Sequence, residues 1–187
     1  MPSAPAVGSP ALDLALAHGI SELRANVLIA LEGTSHPAIL ITSAVTAEYR
    51  RRIGTQLASA IATTGRLVVL VDADCESRAD SMAAASAPGS SHLTIARTPA
   101  SEHGDAAYLV SSDLRASLEE WKRSSDLVVI VGPSLLGVAE TRAVSAMCDG
   151  TLVVATHGSA QRDQAIRAAN VLRESGARVV GAVIASG

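Results

Sequence analysis

The sequence predicts a doubly wound α/β domain with a mostly parallel sheet and helices on both faces. Two observations carry that expectation. Five short β-prone runs follow one another, 38–42 (AILIT), 67–72 (LVVLVD), 127–131 (LVVIV), 151–155 (TLVVA) and 179–184 (VVGAVI). They are apolar without polar alternation, as strands covered on both faces are. Helical stripes lie between most of them: Ile53, Leu57 and Ile61; Leu114, Leu118 and Trp121; Ile166, Ala169 and Leu172. Alternating strand and helix build an α/β sheet rather than a bundle or a sandwich.

In chain order, residues 1–10 are rich in Pro, Ser, Ala and Gly and read as a flexible lead-in to a single domain over 11–187. Residues 11–31 carry Leu12, Leu16, Leu23, Val27 and Leu31 mostly three or four apart, the spacing of a helix, with Gly19 as a point where it divides in two. Residues 79–105 are Ala/Ser/Pro/Gly-rich and weakly patterned, and read as a long loop with little local structure.

Composition narrows the function classes. Charged residues are 18% and hydrophobic ones 48%, which fits a folded soluble chain and argues against disorder. With 2% aromatics and no Phe, the core has to be Ala, Val, Leu and Ile. A net charge of −3 argues against nucleic acid held by bulk positive charge, so no nucleic-acid partner is expected. Cys75 and Cys148 stand alone and read as small core residues; the five histidines lack metal-ligand spacing. The longest apolar run, 67–71, is far short of the roughly 20 residues that span a bilayer, and no secretory signal pattern opens the chain. A cytoplasmic location is the expectation.

Chemistry in an open parallel sheet belongs at the carboxyl ends of the strands. The first run ends at Thr42 and is followed by SAVTAEYRRR, 43–52, leading into the Ile53–Leu57–Ile61 helix. That strand–loop–helix context is the one a phosphate-binding loop needs, but the loop departs from G-x-x-x-x-G-K-[ST]. Ala44 stands at the first Gly, Tyr49 at the second, Arg50 at the Lys and Arg51 at the Ser/Thr.

Further stretches carry a resemblance: SELRANVLIA (21–30), ILITSAVTAE (39–48), QLASAIATTGRLVVLVDAD (56–74), SDLVVIVGPSLL (125–136) and CDGTLVVATHGSAQRDQAIRAANVLRESGARVVGAVIAS (148–186). In order and spacing the chain resembles the cytoplasmic kinase domain of bacterial tyrosine kinases that regulate capsule and exopolysaccharide export, a family related to the septum-placement and chromosome-partitioning ATPases. The resemblance implies a P-loop NTPase-like fold. It places a degenerate nucleotide site at Ala44, Thr46, Ala47, Glu48, Tyr49, Arg50, Arg51 and Arg52, with Asp72 and Asp74 in metal and water positioning and Val131 where the family's strand ends in an acid.

The departures are specific. Where the family has a loop like PGEGKST, this chain has TAEYRRR, 46–52. A residue with a Cβ in place of the second Gly costs about 1 kcal/mol or more in the conformation that wraps phosphate. Arg50 keeps the charge of Lys but not its compact shape. Arg51 replaces a hydroxyl that binds Mg²⁺ with a cation that repels it, and Val131 has no oxygen to offer. Phosphoryl transfer depends on that neutralisation. The expectation is therefore a pseudo-ATPase or pseudo-tyrosine-kinase with no catalytic or metal residues and no required cofactor. Mg²⁺ is disfavoured, and residual ATP or ADP binding stays open.

Two smaller readings accompany this. Adjacent helix residues do not share a face, so Arg50, Arg51 and Arg52 read as a solvated surface, with an anion-holding cluster at a helix N-terminus as the alternative. Asp72 and Asp74 read equally as the end of a strand and start of a turn. The family's E-x-x-R-x-x-R helix motif falls on His18, Ser21 and Arg24, so only Arg24 matches, and the two tyrosines of the sequence, Tyr49 and Tyr108, do not form the family's tyrosine cluster. From the resemblance, the expected partner is a membrane-embedded polysaccharide co-polymerase or export component, which would hold the protein at the inner face of the membrane. A second copy of the chain is a further candidate. The alternatives are an active ATPase or tyrosine autokinase with an atypical loop, in which Asp72 and Asp74 carry Mg²⁺, and a septum- or partition-type positioning protein.

Overall fold

The computed structural model describes residues 10–45, 49–76, 91–156 and 159–185; the lead-in read over 1–9 lies outside them. Helix α1 (Pro10–Ala30) precedes β1 (Ala38–Ser43), α2 (Tyr49–Ala62), β2 (Val68–Asp72), β3 (Leu93–Arg97), α3 (Pro99–His103), a 3₁₀ turn (Ala106–Val110) and α4 (Ser112–Ser124). Then come β4 (Leu127–Val131), α5 (Thr141–Met147), β5 (Gly150–Thr156), α6 (Ser159–Glu174) and β6 (Val179–Ala185). The six strands form one sheet in the order β3-β2-β4-β1-β5-β6, with every pair parallel.

The apolar runs are strands because both their faces are covered. Ile39, Ile41, Leu70, Val129, Val131, Leu152 and Val154 pack beneath α1 and α2 with Val27, Leu31, Ile53, Leu57 and Ile61. The alternate residues Leu40, Val69, Val71, Val128 and Ile130 pack on the other face against Leu109, Leu114, Leu118 and Val144. Val153 on that second face meets Ala168 and Leu172 of α6. Ser111 caps α4, its hydroxyl accepting from Leu114 N at 3.1 Å, and the Lys122–Arg123 end suits the helix dipole. From β1 the chain crosses to β2 on one side of the sheet, and from β4 to β5 on the other. The direction of winding thus reverses beside β1, where such sheets bind ligands.

Two expectations need correction. Gly19 does not divide the first helix: α1 runs unbroken through it, and a Cβ there would meet nothing within 4 Å. Of the segment read as a loop, 79–90 lies outside the described residues, but 93–97 is β3 and 99–103 is α3. LTIAR has only five residues on a half-exposed sheet edge, too short and too polar to stand out from its surroundings. The opposite edge, β6, pairs with β5 alone and leaves Val179 and Ile184 exposed. Both cysteines are free. Cys148 is buried, which pushes its thiol up to about 12. No described helix is long and apolar enough to cross a membrane.

Helix α2 lies very close to the sheet at Gly54, where a Cβ would collide with Val131 Cγ2 and stand 3.5 Å from Ile41 Cδ1. Gly54→Ala is expected to destabilise the protein by about 1–3 kcal/mol through overpacking, read as a lower urea midpoint with an unchanged slope.

Candidate functional site

The carboxyl ends of β1, β2 and β4 meet beside the first turn of α2. Asp72 lies in register with Val131, and Ile41 with Val131 on the other side. The chain after β4 is tied along the end of β1: Gly132 N donates to Ile41 O at 3.0 Å, Leu135 N to Ser43 O at 2.9 Å, Leu136 N to Ala44 O at 3.0 Å, and Thr42 Oγ1 to Pro133 O at 2.6 Å. These bonds hold the segments after β1 and β4 in fixed relation before any charged side chain is considered.

Arg50 and Arg51 both turn into this junction. Arg50 is fully buried, and its Nη2 reaches Asp74 Oδ2 at 2.8 Å and Glu76 Oε2 at 3.0 Å, while its Nη1 donates to Ser43 Oγ at 2.7 Å. Arg51, 5% exposed, donates from Nε and Nη2 to Asp72 Oδ1 at 3.3 and 3.2 Å, and from Nη2 to Asp74 O at 2.9 Å. The acids are fixed in turn by the backbone: Asp74 N donates to Asp72 Oδ1 at 3.2 Å and Glu76 N to Asp74 Oδ1 at 3.1 Å. Glu76 also accepts from Ser134 N at 2.6 Å and from its hydroxyl at 2.7 Å.

The solvated-surface reading is therefore wrong for Arg50 and Arg51 and right only for Arg52, which is exposed. Successive helix residues do diverge by about 100°. At the start of a helix, however, that divergence points two long side chains at the ends of β1 and β2, the two strands that flank β4, rather than one inward and one outward. Two cations at the positive end of a helix dipole are unfavourable alone, and the carboxylates following β2 offset them. Asp72 and Asp74 thus do more than close a strand.

Of the other anticipated site residues, Ala44 is buried in the small cluster with Leu135 and Val153. Tyr49 packs its ring against the α1–α2 core. Val131 fills the space against Gly54. Thr46, Ala47 and Glu48 lie outside the described residues. Arg24, the one match to the family's helix motif, donates to Ala60 O of α2 at 3.1 Å and so has work within this chain. Ser43, Glu76 and Ser134 were not foreseen; the D-A-D-C-E alternation of acids after β2 was the available signal for Glu76. A hollow of about 430 Å³, lined by Glu32, His36, Arg66 and Asp126 among others, lies at the opposite ends of the strands.

The donor set does not suit a magnesium–nucleotide complex. Beside the first turn of α2 two guanidiniums already engage the acids, and Val131 adds no oxygen. One buried oxygen, Asp72 Oδ2, has no hydrogen-bond partner, but its sister atom is held by Arg51. Among the described residues no three His, Cys, Asp or Glu side chains are grouped to hold a metal. Burial raises the Asp72 carboxyl above the usual range, more than the Arg51 guanidinium lowers it.

The fold is a P-loop NTPase-like α/β fold. Tyrosine-protein kinase YwqD of Bacillus subtilis is 22% identical over 183 residues, covering 87% of this chain and 77% of that one. The kinase domain of the Escherichia coli tyrosine kinase ETK superposes with a TM-score of 0.77 at 19% identity, over 91% of this chain and 75% of that one. The MinD cell division protein of Aquifex aeolicus shares the fold more distantly, with a TM-score of 0.56 at 18% identity over 80% and 68% of the two chains. No family model matches the chain. The chain is thus similar to bacterial tyrosine kinase domains and has their fold, as the sequence motifs imply.

Removing one partner of a buried pair leaves the other charge uncompensated. Arg50→Met is expected to cost about 3–5 kcal/mol in urea unfolding, against less than about 0.5 kcal/mol for Arg52→Ala. Because the folded-state value of Asp72 is raised, its contribution to stability is full below the unfolded value near 3.8 and is lost as pH rises through the raised value. The stability of the parent relative to Asp72→Asn should accordingly fall as pH rises across that window; a difference that grows with pH would contradict the burial argument.

Proposed function

We propose that this protein works by binding rather than by phosphoryl transfer, as a regulatory or scaffolding component of capsule or exopolysaccharide biosynthesis and export. One observation carries the reading: the guanidiniums of Arg50 and Arg51 pair with Asp74, Glu76 and Asp72 at the place where phosphate and Mg²⁺ would be held. An incoming triphosphate would have to break these pairs without an ion to replace them, and the transition-state charge would lack its metal anchors. Residual metal-free ATP or ADP binding is compatible with this reading. The polysaccharide context, a membrane-embedded co-polymerase or export component as partner, self-association and a place at the inner face of the membrane rest on the resemblance to the tyrosine kinase family.

The enzyme alternative needs Asp72 and Asp74 to carry Mg²⁺. Their engagement by Arg51 and Arg50 counts against it. Calorimetric titration of the purified protein with ATP, with and without Mg²⁺, tests the proposal. Weak metal-independent binding or none is expected, and no phosphate transfer to Tyr49 or Tyr108. Micromolar binding that depends on Mg²⁺ would reinstate the enzyme.

A further inference from the structure

Glu76 differs from the other two acids of the junction. Asp72 and Asp74 side chains are 0% and 1% exposed, whereas the Glu76 side chain is 14% exposed and so has a route to water. Its carboxylate is received by a set of donors: the backbone N–H of Ser134 at 2.6 Å, the Ser134 hydroxyl at 2.7 Å and Arg50 Nη2 at 3.0 Å. The room it fills is left by a missing side chain. A Cβ at Gly137 would stand 2.7 Å from Glu76 Oε1 and 2.5 Å from Ser134 Oγ.

The donors are held independently of Glu76. Ser134 is fully buried, its segment is bonded to β1 through Pro133, Leu135 and Leu136, and Ser134 O accepts from Val138 N at 3.0 Å. Arg50 keeps Asp74 and Ser43 as partners if Glu76 leaves. Withdrawal of Glu76 would thus leave an N–H, an O–H and part of a guanidinium charge converging on one buried space, the arrangement that receives oxyanions.

We propose that Ser134, Arg50 and the space left by the missing side chain at Gly137 form an oxyanion cradle in which Glu76 sits as a tethered ligand, so that a carboxylate or phosphate from outside binds there only by displacing it. The site is held closed by the chain's own side chain and opens by competition. This deepens the binding reading above and rests on it in one respect: the cradle takes its anion without a metal.

The test compares thermal unfolding of the parent and Glu76→Ala in rising sodium acetate or inorganic phosphate at constant ionic strength. A ligand bound only by the folded state raises the midpoint with concentration. Glu76→Ala should gain a few degrees at tens of millimolar anion while the parent stays still, and Arg50→Met in the Glu76→Ala background should lose most of the gain. A response to acetate alone identifies a carboxylate ligand, to phosphate alone a phosphate ligand, and to both a site open to either. No response in Glu76→Ala, or an equal response in the parent, overturns the proposal. Should Glu76→Ala not fold, Glu76→Gln keeps one acceptor oxygen for Ser134, replaces the other by an NH2 and removes the charge. It should respond more than the parent, and an equal response overturns the proposal. Mg²⁺-dependent ATP binding by the parent would instead sink the binding-only reading, a separate outcome from a separate titration.

Discussion

The junction depends on one constraint: two arginines at the start of α2 must be neutralised without water. Arg50 has 0% of its surface exposed, so its charge is tolerable only because Asp74 and Glu76 lie within 3.0 Å. Three features of the sequence exist in answer to that need. The acids follow β2 at alternate positions, so that their side chains return to the same side. Ser43 adds a hydroxyl for Nη1. The segment after β4 is pinned to β1, which brings Ser134 against Glu76. Burying such a cluster does not by itself stabilise a protein relative to apolar packing, but breaking it in part is costly. Its worth lies in fixing the three loops in one arrangement.

Helix α2 is the element through which this constraint reaches the rest of the molecule. Its first turn carries the cations, and its middle carries Gly54 pressed against Val131. Its end receives Arg24 from α1. A shift of the helix would disturb ion pairs, packing and the α1 contact together. The helix therefore joins the charged junction to the apolar core instead of resting on it.

Much of the fold was legible because the physics is local. AILIT, LVVLVD and LVVIV are too apolar for anything but strands buried on both faces, and the stripes of α2, α4 and α6 fit the helical period. LTIAR was not legible: its strand nature comes from pairing with β2 across 20 or more residues of sequence, and its own pattern is half polar. In the site, the substitutions at Tyr49, Arg50, Arg51 and Val131 could be read against the loop template. Their consequence could not. Whether three successive arginines solvate a surface or enter a core depends on acids brought from β2, and no rule based on helix faces includes the strand end opposite.

The register of Asp72 beside Val131, with Gly54 against the valine, has a bearing on how this sequence can change. An acid introduced at 131 would meet the buried carboxylate of Asp72 on one side and a space shaped for methyl groups on the other. A lysine at 50 would lose the forked contact in which Nη2 reaches Asp74 and Glu76 while Nη1 reaches Ser43, and a hydroxyl at 51 would strand Asp72. Each step toward the ordinary loop is thus penalised while the others are missing, and contacting residues of this kind are strongly non-additive. Positions 50, 51, 54, 72, 74, 76 and 131 form an interdependent set, and a drift from one state of the junction to the other has to carry them jointly.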